Sequence, residues 1–215
     1  MPYTSGVDIH PPHAIRSWRD FFIQIATITT GILIALSLEG AREAMHNRSI
    51  AAEARENIRR ELVNNKREVD NELAQAVDRA PQLEQALQFA NDLLATKKTK
   101  IEQFGLNFHF PSLSDASWQT AQRTGALSQM DYAEVQKYAH AYSVQSLLEQ
   151  QDRRALELLS DALGFVAGGS DPENAPRADL ERFRQQITTL RSILFVGEQL
   201  SHTASEAYQT AIDQK

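Results

Sequence analysis

Apolar residues run from Phe21 to Leu38 without a charged residue, a stretch long enough to cross the hydrocarbon core of a bilayer as one helix. Thr27 and Ser37 interrupt it, but such hydroxyls can bond to the helix's own carbonyls, which lowers their cost in lipid. The pattern therefore predicts one transmembrane helix, together with its interfacial flank, over residues 16–40. Two alternatives stay open: a buried helix of a water-soluble protein, and a cleaved signal peptide with Ala35-Leu36-Ser37 as its cleavage site.

Aromatic and small residues add two features to the predicted span. The aromatic residues at its start suit a membrane interface, and they are Trp18, Phe21 and Phe22. Small residues recur every four positions on one face, where they would let two helices approach closely, and they are Thr27, Gly31 and Ala35. The lipid bilayer is thus the first predicted partner, and a second copy of the chain is another.

The residues that flank the span bear on its orientation. Residues 1–15 contain three prolines and few large apolar groups, which predicts a disordered tail. Arg16 and Arg19 before the apolar run are nearly balanced by the arginines after it, so the positive charges leave the orientation undecided; those arginines are Arg42, Arg48 and Arg55. Long C-terminal domains translocate with little regard to charge, which favours a periplasmic domain.

Beyond the span, residues 41–215 repeat apolar positions at alternating spacings of three and four, as long packed helices do. Helices are predicted at about 41–97, 114–125, 131–166 and 176–213, and Pro81 should kink or split the first of them. We expect an all-α fold in which the single transmembrane helix continues into a long-helix bundle or coiled-coil-like domain. A homo-oligomeric coiled coil would have the same seams and stays an alternative.

The buried positions follow from the same spacing. In the first long helix they are Ile58, Leu62, Asn65, Val69, Leu73, Ala76, Ala80, Leu83, Leu87, Ala90 and Leu94. In the third predicted helix they are Tyr132, Val135, Ala139, Tyr142, Leu147, Leu148, Leu156, Leu159 and Leu163. In the last helix they are Leu180, Phe183, Ile187, Leu190, Leu194, Gly197, Ser201, Ala204, Tyr208 and Ala211. The phenylalanines between residues 100 and 113 are expected to plug the bundle from a loop.

Local signals mark the ends of the short helix at 114–125. Ser114 has the side chain of a helix N-cap, and Gly125 should end the helix, with Leu127 packing back as in a C-terminal cap. Asp131 or Ser128 is expected to start the next helix.

Composition excludes several classes of function. The 215 residues carry a net charge of −6 and contain no cysteine. An acidic chain lacks the clustered basic residues of a nucleic-acid surface, so no nucleic-acid partner is predicted. The missing cysteines rule out disulfides, thiolate metal sites and cysteine nucleophiles.

Catalytic motifs are sparse. Glu43 and His46, three apart on one helix face, could both bind one metal ion, but a di-iron bundle needs a second Glu-x-x-His and two more carboxylates. Glu198 and His202 are four apart instead. No Gly-x-Ser-x-Gly occurs, and the glycines near residue 168 lack the lysine of a phosphate loop. We therefore expect no enzyme activity, no catalytic residue and no cofactor.

Several short motifs together resemble a bacterial family of single-pass membrane proteins of unknown function. They are the membrane exit GILIAL at 31–36, the long polar helix after it, the segment Phe108 to Pro111, and Trp118 seven positions before Gly125-Ala126-Leu127. Tyr138 and Tyr142 match the paired tyrosines of that family. The resemblance implies a bacterial inner-membrane location and assigns no catalytic residue.

The function that these patterns favour is that of a membrane-anchored interaction or scaffold protein, an accessory subunit of other membrane or envelope proteins or a homo-oligomer. Its predicted interaction residues are Trp118, Gly125, Leu127, Tyr138 and Tyr142. One alternative is a ligand-sensing bundle with a small-molecule pocket near Trp118. A metal-binding enzyme built on Glu43 and His46 is the third.

Overall fold

The computed structural model describes residues 18–101, 104–167 and 171–213, and these form an all-α structure. Its α-helices are α1 (Trp18–Gln75), α2 (Arg79–Thr96), α3 (Ala116–Arg123), α4 (Tyr132–Ala167) and α5 (Arg177–Ile212). Short 3-10 helices cover Ala76–Asp78, Ala126–Gln129 and Pro172–Asn174. The predicted tail at 1–15 lies outside the described residues. The chain divides into two compact units, Met1–Ser49 and Ile50–Lys215.

The described part of the first unit is helical and contains an 18-residue window with a mean hydropathy of 2.0, none of which is buried. By length and composition this helix could cross a membrane. Its hydroxyls bond to the helix as expected: Thr27 Oγ1 donates to the Ile23 carbonyl at 2.9 Å, and Ser37 Oγ donates to that of Leu33 at 2.7 Å.

The second unit is a bundle in which α1 and α4 run parallel and α5 runs against them. Arg55 contacts Glu134 and Asn65 contacts Gln145, so the residue numbers of α1 and α4 increase in the same direction. Asp70 accepts a hydrogen bond from Ser205, whereas the Leu94 carbonyl accepts one from Arg177. Helix α5 is therefore antiparallel to α1 and α2.

The chain between α2 and α4 returns along the outside of α1 and α2. Asn107 N donates to Gln82, and further along the Ser117 N–H donates to Glu61, so this stretch also runs against the first two helices. We call residues 104–115 the connecting segment. Its Phe side chains pack against the core as predicted, with Phe104 and Phe89 rings 5.0 Å apart.

The buried face of α5 is the one that the sequence predicts. All ten predicted positions, from Leu180 to Ala211, are buried, and Ala207 joins them. In α2 the prediction is confirmed at Leu83 and Ala90 and is wrong at the other positions. Helix α2 begins after a break at 76–78 and buries a rotated face that contains Arg79, Leu83, Ala86, Phe89, Ala90 and Leu93. Ala80 is exposed as a result, and Leu87 and Leu94 are half-buried. Pro81 lies in the first turn of α2, where its missing N–H breaks no helical bond.

Predictions for α4 also need correction. Tyr132, Leu147, Leu156 and Leu163 are exposed, and so is Ala139. Of the predicted positions, Tyr142, Leu148 and Leu159 are buried, and the other buried positions of this helix are Tyr138, Ala141, Val144, Gln145, Ala155 and Ala162. Asp131 does start this helix, since its Oδ1 accepts from Ala133 N at 2.8 Å.

Candidate interaction site

The first half of α4 turns a polar face towards α1. Its positions follow spacings of three and four, and they are Glu134, Tyr138, Tyr142, Gln145, Glu149 and Asp152. Three of them hydrogen-bond directly to Arg55, Glu61 and Asn65 of α1. Hydrogen bonds therefore join the two helices where a simple bundle would use apolar contacts.

An ion pair lies at the first level of this interface. Arg55 Nε and Nη2 donate to the two oxygens of Glu134 at 2.5 and 2.8 Å, and the Tyr138 hydroxyl donates to the same carboxylate at 3.0 Å. The hydrogen bonds from Arg55 lower the pKa of Glu134 despite its burial. Burial beside that carboxylate raises the pKa of Tyr138. A bidentate pair of this kind fixes the level at which α1 meets α4.

Glu61 is buried and accepts three hydrogen bonds. Its Oε1 accepts from the Tyr142 hydroxyl at 2.6 Å, and its Oε2 accepts from the Ser114 hydroxyl at 2.8 Å and from Ser117 N at 2.9 Å. Because Ser117 lies in the first turn of α3, Glu61 caps that helix from another element. Burial and the bond to Glu61 raise the pKa of Tyr142, so its hydroxyl stays a donor at neutral pH.

The expected N-cap role of Ser114 was therefore wrong. Asp115 occupies the N-cap position of α3, and its side chain makes no capping bond. The Ser114 hydroxyl is directed to Glu61, 2.8 Å away, and lies 3.4 Å from the Ala116 nitrogen. The helix N–H that an N-cap side chain would accept, that of Ser117, donates to the Glu61 carboxylate instead.

Asn65 joins four elements at one level of the bundle. Its amide accepts from Ser114 N at 3.0 Å and donates to the Ser114 carbonyl at 2.7 Å, so it pairs with both backbone groups of that residue. It also donates to Gln145 Oε1 at 3.0 Å, which accepts in turn from the Tyr208 hydroxyl of α5 at 3.0 Å. A buried amide with its partners in place sets the register of the helices around it.

The five predicted interaction residues fall into two groups. Tyr138 and Tyr142 are in the core, and Trp118 and Leu127 are half-buried against the same core cluster. The Trp118 ring stacks on that of Tyr142, with centroids 5.3 Å apart. Gly125 is exposed and adopts a φ of 74°, the left-handed conformation that ends α3. Trp118 and Leu127 thus pack the α3 turn against the core, and the outer surface of that turn is formed by other side chains.

The outer surface of α3 forms one wall of a groove whose other wall is α1. The groove has a volume of about 380 Å³, and its lining includes Ile50, Ala54, Asn57, Ser117, Thr120 and Ala121. A polar depression of about 240 Å³ adjoins it, shares Asn57 and Ser117 with it, and also contains Arg60 and Asn64. Trp118 faces Tyr142 and is not part of this lining.

The proposed metal ligands do not form a cluster in the described chain. Glu43 and His46 are exposed on α1 in the first unit, and Glu198 and His202 lie on α5 in the second. No group of three or more His, Asp or Glu side chains that could hold a metal ion occurs among the described residues.

Sequence reasoning missed most of the residues that build this site. Asn65 was predicted as a polar seam residue, but Glu61, Gln145 and Glu134 were passed over because polar residues were read as solvent-facing. Their spacing was a usable signal, since the polar and aromatic positions of α4 recur at three and four as a buried face does.

Comparison of the chain with protein-family models, curated proteins and solved structures gives no match.

Proposed function

We propose that this protein is a membrane-anchored helical interaction protein, without catalysis of its own, whose second unit binds another membrane or envelope protein. The observation that carries the proposal is the apolar window of α1, in which no residue is buried. Eighteen such residues exposed to water would be costly, and a bilayer removes that cost. The bacterial inner membrane and a periplasmic second unit are the location that we propose.

The partner-binding surface that we favour is the groove between α1 and α3. The buried carboxylate of Glu61 and the stacked Trp118 ring hold α3 rigidly against the bundle, which lowers the entropic cost of binding there. The groove wall is made of small side chains such as Ala54, Thr120 and Ala121, which allow close approach of a partner backbone.

Photo-cross-linking in native membranes tests this proposal. A photoreactive amino acid at Thr120, an exposed residue of the groove, should yield one reproducible product with a membrane or envelope protein. The matched control places the same group at Glu157, which is exposed on α4 and lies outside the groove. Products of equal yield at both positions, or none at Thr120, would contradict the proposed surface.

Membrane insertion and orientation are tested separately. The chain has no cysteine, so Val77→Cys, at a position 77% exposed, provides a single thiol for labelling. We expect the protein to stay in the membrane after alkaline carbonate extraction and the thiol to react with a membrane-impermeant maleimide in intact cells. Release by carbonate would reject the anchor. Labelling only after lysis would place the second unit in the cytoplasm.

A ligand-sensing function is the second candidate, because a groove of about 380 Å³ is large enough for a small molecule. Under that hypothesis Thr120→Trp, which fills the groove, should abolish the thermal stabilisation given by an active compound. The same substitution at exposed Glu157 should leave it unchanged.

A further inference from the structure

The α1 wall of the groove between α1 and α3 carries two polar side chains, Glu53 and Asn57. Glu53 is the one charged residue among the described residues of the lining, and its carboxylate pairs with no described residue. The exposed Asn57 amide, one helical turn further on, also has no hydrogen-bond partner in the described part of the chain. Because residues four apart share a helix face, both groups are open to the same bound molecule.

The bundle already holds a non-helical chain against α1 through an asparagine of the same helix. Asn65 donates to the Ser114 carbonyl at 2.7 Å and accepts from the Ser114 N–H at 3.0 Å. This pairing is possible because Ser114 lies outside the helices, where its main-chain groups are not bonded to a helix of their own. Asn57 and Asn65 line the same polar depression, of about 240 Å³, next to the groove.

An exposed amide in this position favours an extended occupant over a helical one. Within a helix the N–H and C=O groups are bonded to each other, so they offer nothing to Asn57 except at the helix ends. An extended chain leaves the main-chain groups of alternate residues free on one side, as in peptides that add to a sheet edge. The small side chains of the groove, such as Ala54 and Ala121, leave space for that main chain.

The carboxylate of Glu53 determines the charge of the occupant. Arg60, which lines the adjoining depression, is 3.5 Å from Glu56 in an exposed ion pair, so Glu53 is left without a cation. A lysine or arginine of the occupant supplies that cation. Glu53 and Asn57 are four residues apart, about 6 Å along a helix, which an extended chain covers in about two residues.

We propose that the groove binds an extended segment of the partner protein, with its main chain paired to the Asn57 amide. A lysine or arginine about two residues away lies against Glu53. This inference rests on the proposed function, because it names the kind of segment that the same groove takes from the partner.

Selection from a phage-displayed library of random heptapeptides tests the inference without the natural partner. The bait is the full chain in lipid nanodiscs, and empty nanodiscs remove peptides that bind lipid. Enriched peptides should share a lysine or arginine. Glu53→Lys should replace that preference by one for Asp or Glu, whereas Glu56→Lys, the same change at an exposed position outside the lining, should retain it.

Three results of the selection overturn the proposal. They are no enrichment over empty nanodiscs, the same basic residue selected by Glu53→Lys, and peptides whose apolar residues recur at the helical spacings of three and four. Both substituted glutamates are exposed, and circular dichroism of each variant checks that it is folded.

The main-chain contact is measured on a synthetic copy of the most enriched peptide. Methylation of each peptide nitrogen in turn should reveal one position at which Kd rises about 2- to 10-fold, as expected for one lost hydrogen bond. In Asn57→Ala the same methylation should leave Kd unchanged, because its acceptor is already gone. An equal rise in the wild type and in Asn57→Ala overturns the pairing with Asn57.

Failure of this inference is distinguishable from failure of the proposed function. A cross-linked product at Thr120 whose yield is the same in Glu53→Lys overturns the inference and leaves the proposed surface in place. Peptide selection as expected, with no product at Thr120 in native membranes, contradicts the proposed function instead.

Discussion

The two halves of the bundle are held together by different chemistry. The polar half contains Ile58 to Val69 of α1, Tyr138 to Leu148 of α4 and Ala204 to Ala211 of α5, and it buries Glu61, Asn65 and Gln145. The apolar half contains Leu83 to Leu93 of α2, Ala155 to Ala162 of α4 and Leu180 to Leu194 of α5. Among the described residues, the apolar half buries no polar side chain.

Aromatic rings take the place of hydrogen bonds in the apolar half. Phe183 is surrounded by three phenylalanines, and the nearest ring, that of Phe165, has its centroid 4.9 Å away. Such contacts stabilise without fixing a single register, because apolar surfaces have no directional partners. The polar half is directional, so it sets which levels of the helices meet and where α3 lies.

The largest effect is expected from a charge placed in the apolar half. Leu190→Asp replaces a side chain with 0% exposure in the apolar core cluster by a carboxylate. The lost packing and the desolvation of the charge together should cost about 5 kcal/mol or more, which is comparable to the whole stability of a domain. Circular dichroism of the purified protein in detergent should show loss of the cooperative thermal transition.

The control for that change keeps the new residue and the helix but alters the burial. Phe195→Asp substitutes a residue of α5 that is 65% exposed. Its melting temperature should stay close to that of the wild type. If both variants unfold, or both melt normally, the buried face of α5 is not the one described.

A smaller loss of stability is expected from a substitution in the polar half. Glu61→Ala leaves the Tyr142 and Ser114 hydroxyls and the Ser117 N–H without their common acceptor. Stranded donors of this kind should reduce stability by about 3 kcal/mol. Hydrogen exchange should speed up most in α3, because that helix loses its cap. Glu56→Ala, at an exposed position one turn away, is the control and should change neither quantity.

A substitution at Trp118 tests whether this residue of the polar half serves packing or partner binding. Trp118→Ala removes a half-buried ring stacked on Tyr142 and should lower stability by about 2 kcal/mol, less than the 3 to 5 kcal/mol typical of a fully buried aromatic residue. Thermal unfolding measures this loss. An unchanged melting temperature, together with loss of the cross-link from Thr120, would instead make Trp118 part of the binding surface.

The contrast between the halves also explains how far sequence reasoning could go. Helix α5 lies in both halves, yet each of its predicted positions is buried, because their unbroken alternation of three- and four-residue spacings marks one face clearly. In α4 the same reasoning selected Tyr142 correctly but also Leu147 and Leu156, which are exposed, since Gln145 and Glu149 on the packed side do not look apolar.

The candidate site was harder to predict than the helices for a further reason. Glu61 is buried only because Ser114, Ser117 and Tyr142, which are between 53 and 81 residues away, supply donors for its carboxylate. Local periodicity carries no information about such partners, because a glutamate without them would face solvent. The pairing of Glu72 with Arg79, across the helix break at 76–78, is likewise not marked by local periodicity.

The smallest effect is expected from Asp152 of α4, whose pKa is raised by burial and by the charge of Glu72. An aspartate whose pKa is raised in the folded state from 3.8 to about 7 holds a proton that the unfolded chain has lost, so stability falls as pH rises between those values. With allowance for its partial exposure, the loss should be about 1 to 2 kcal/mol, complete above about pH 7. Melting temperatures of the wild type should therefore fall from about pH 5 to about pH 8 relative to those of Asp152→Asn. If the melting temperatures of the two proteins changed equally with pH, Asp152 would ionise near its ordinary pKa, and its protonation would not affect the bundle.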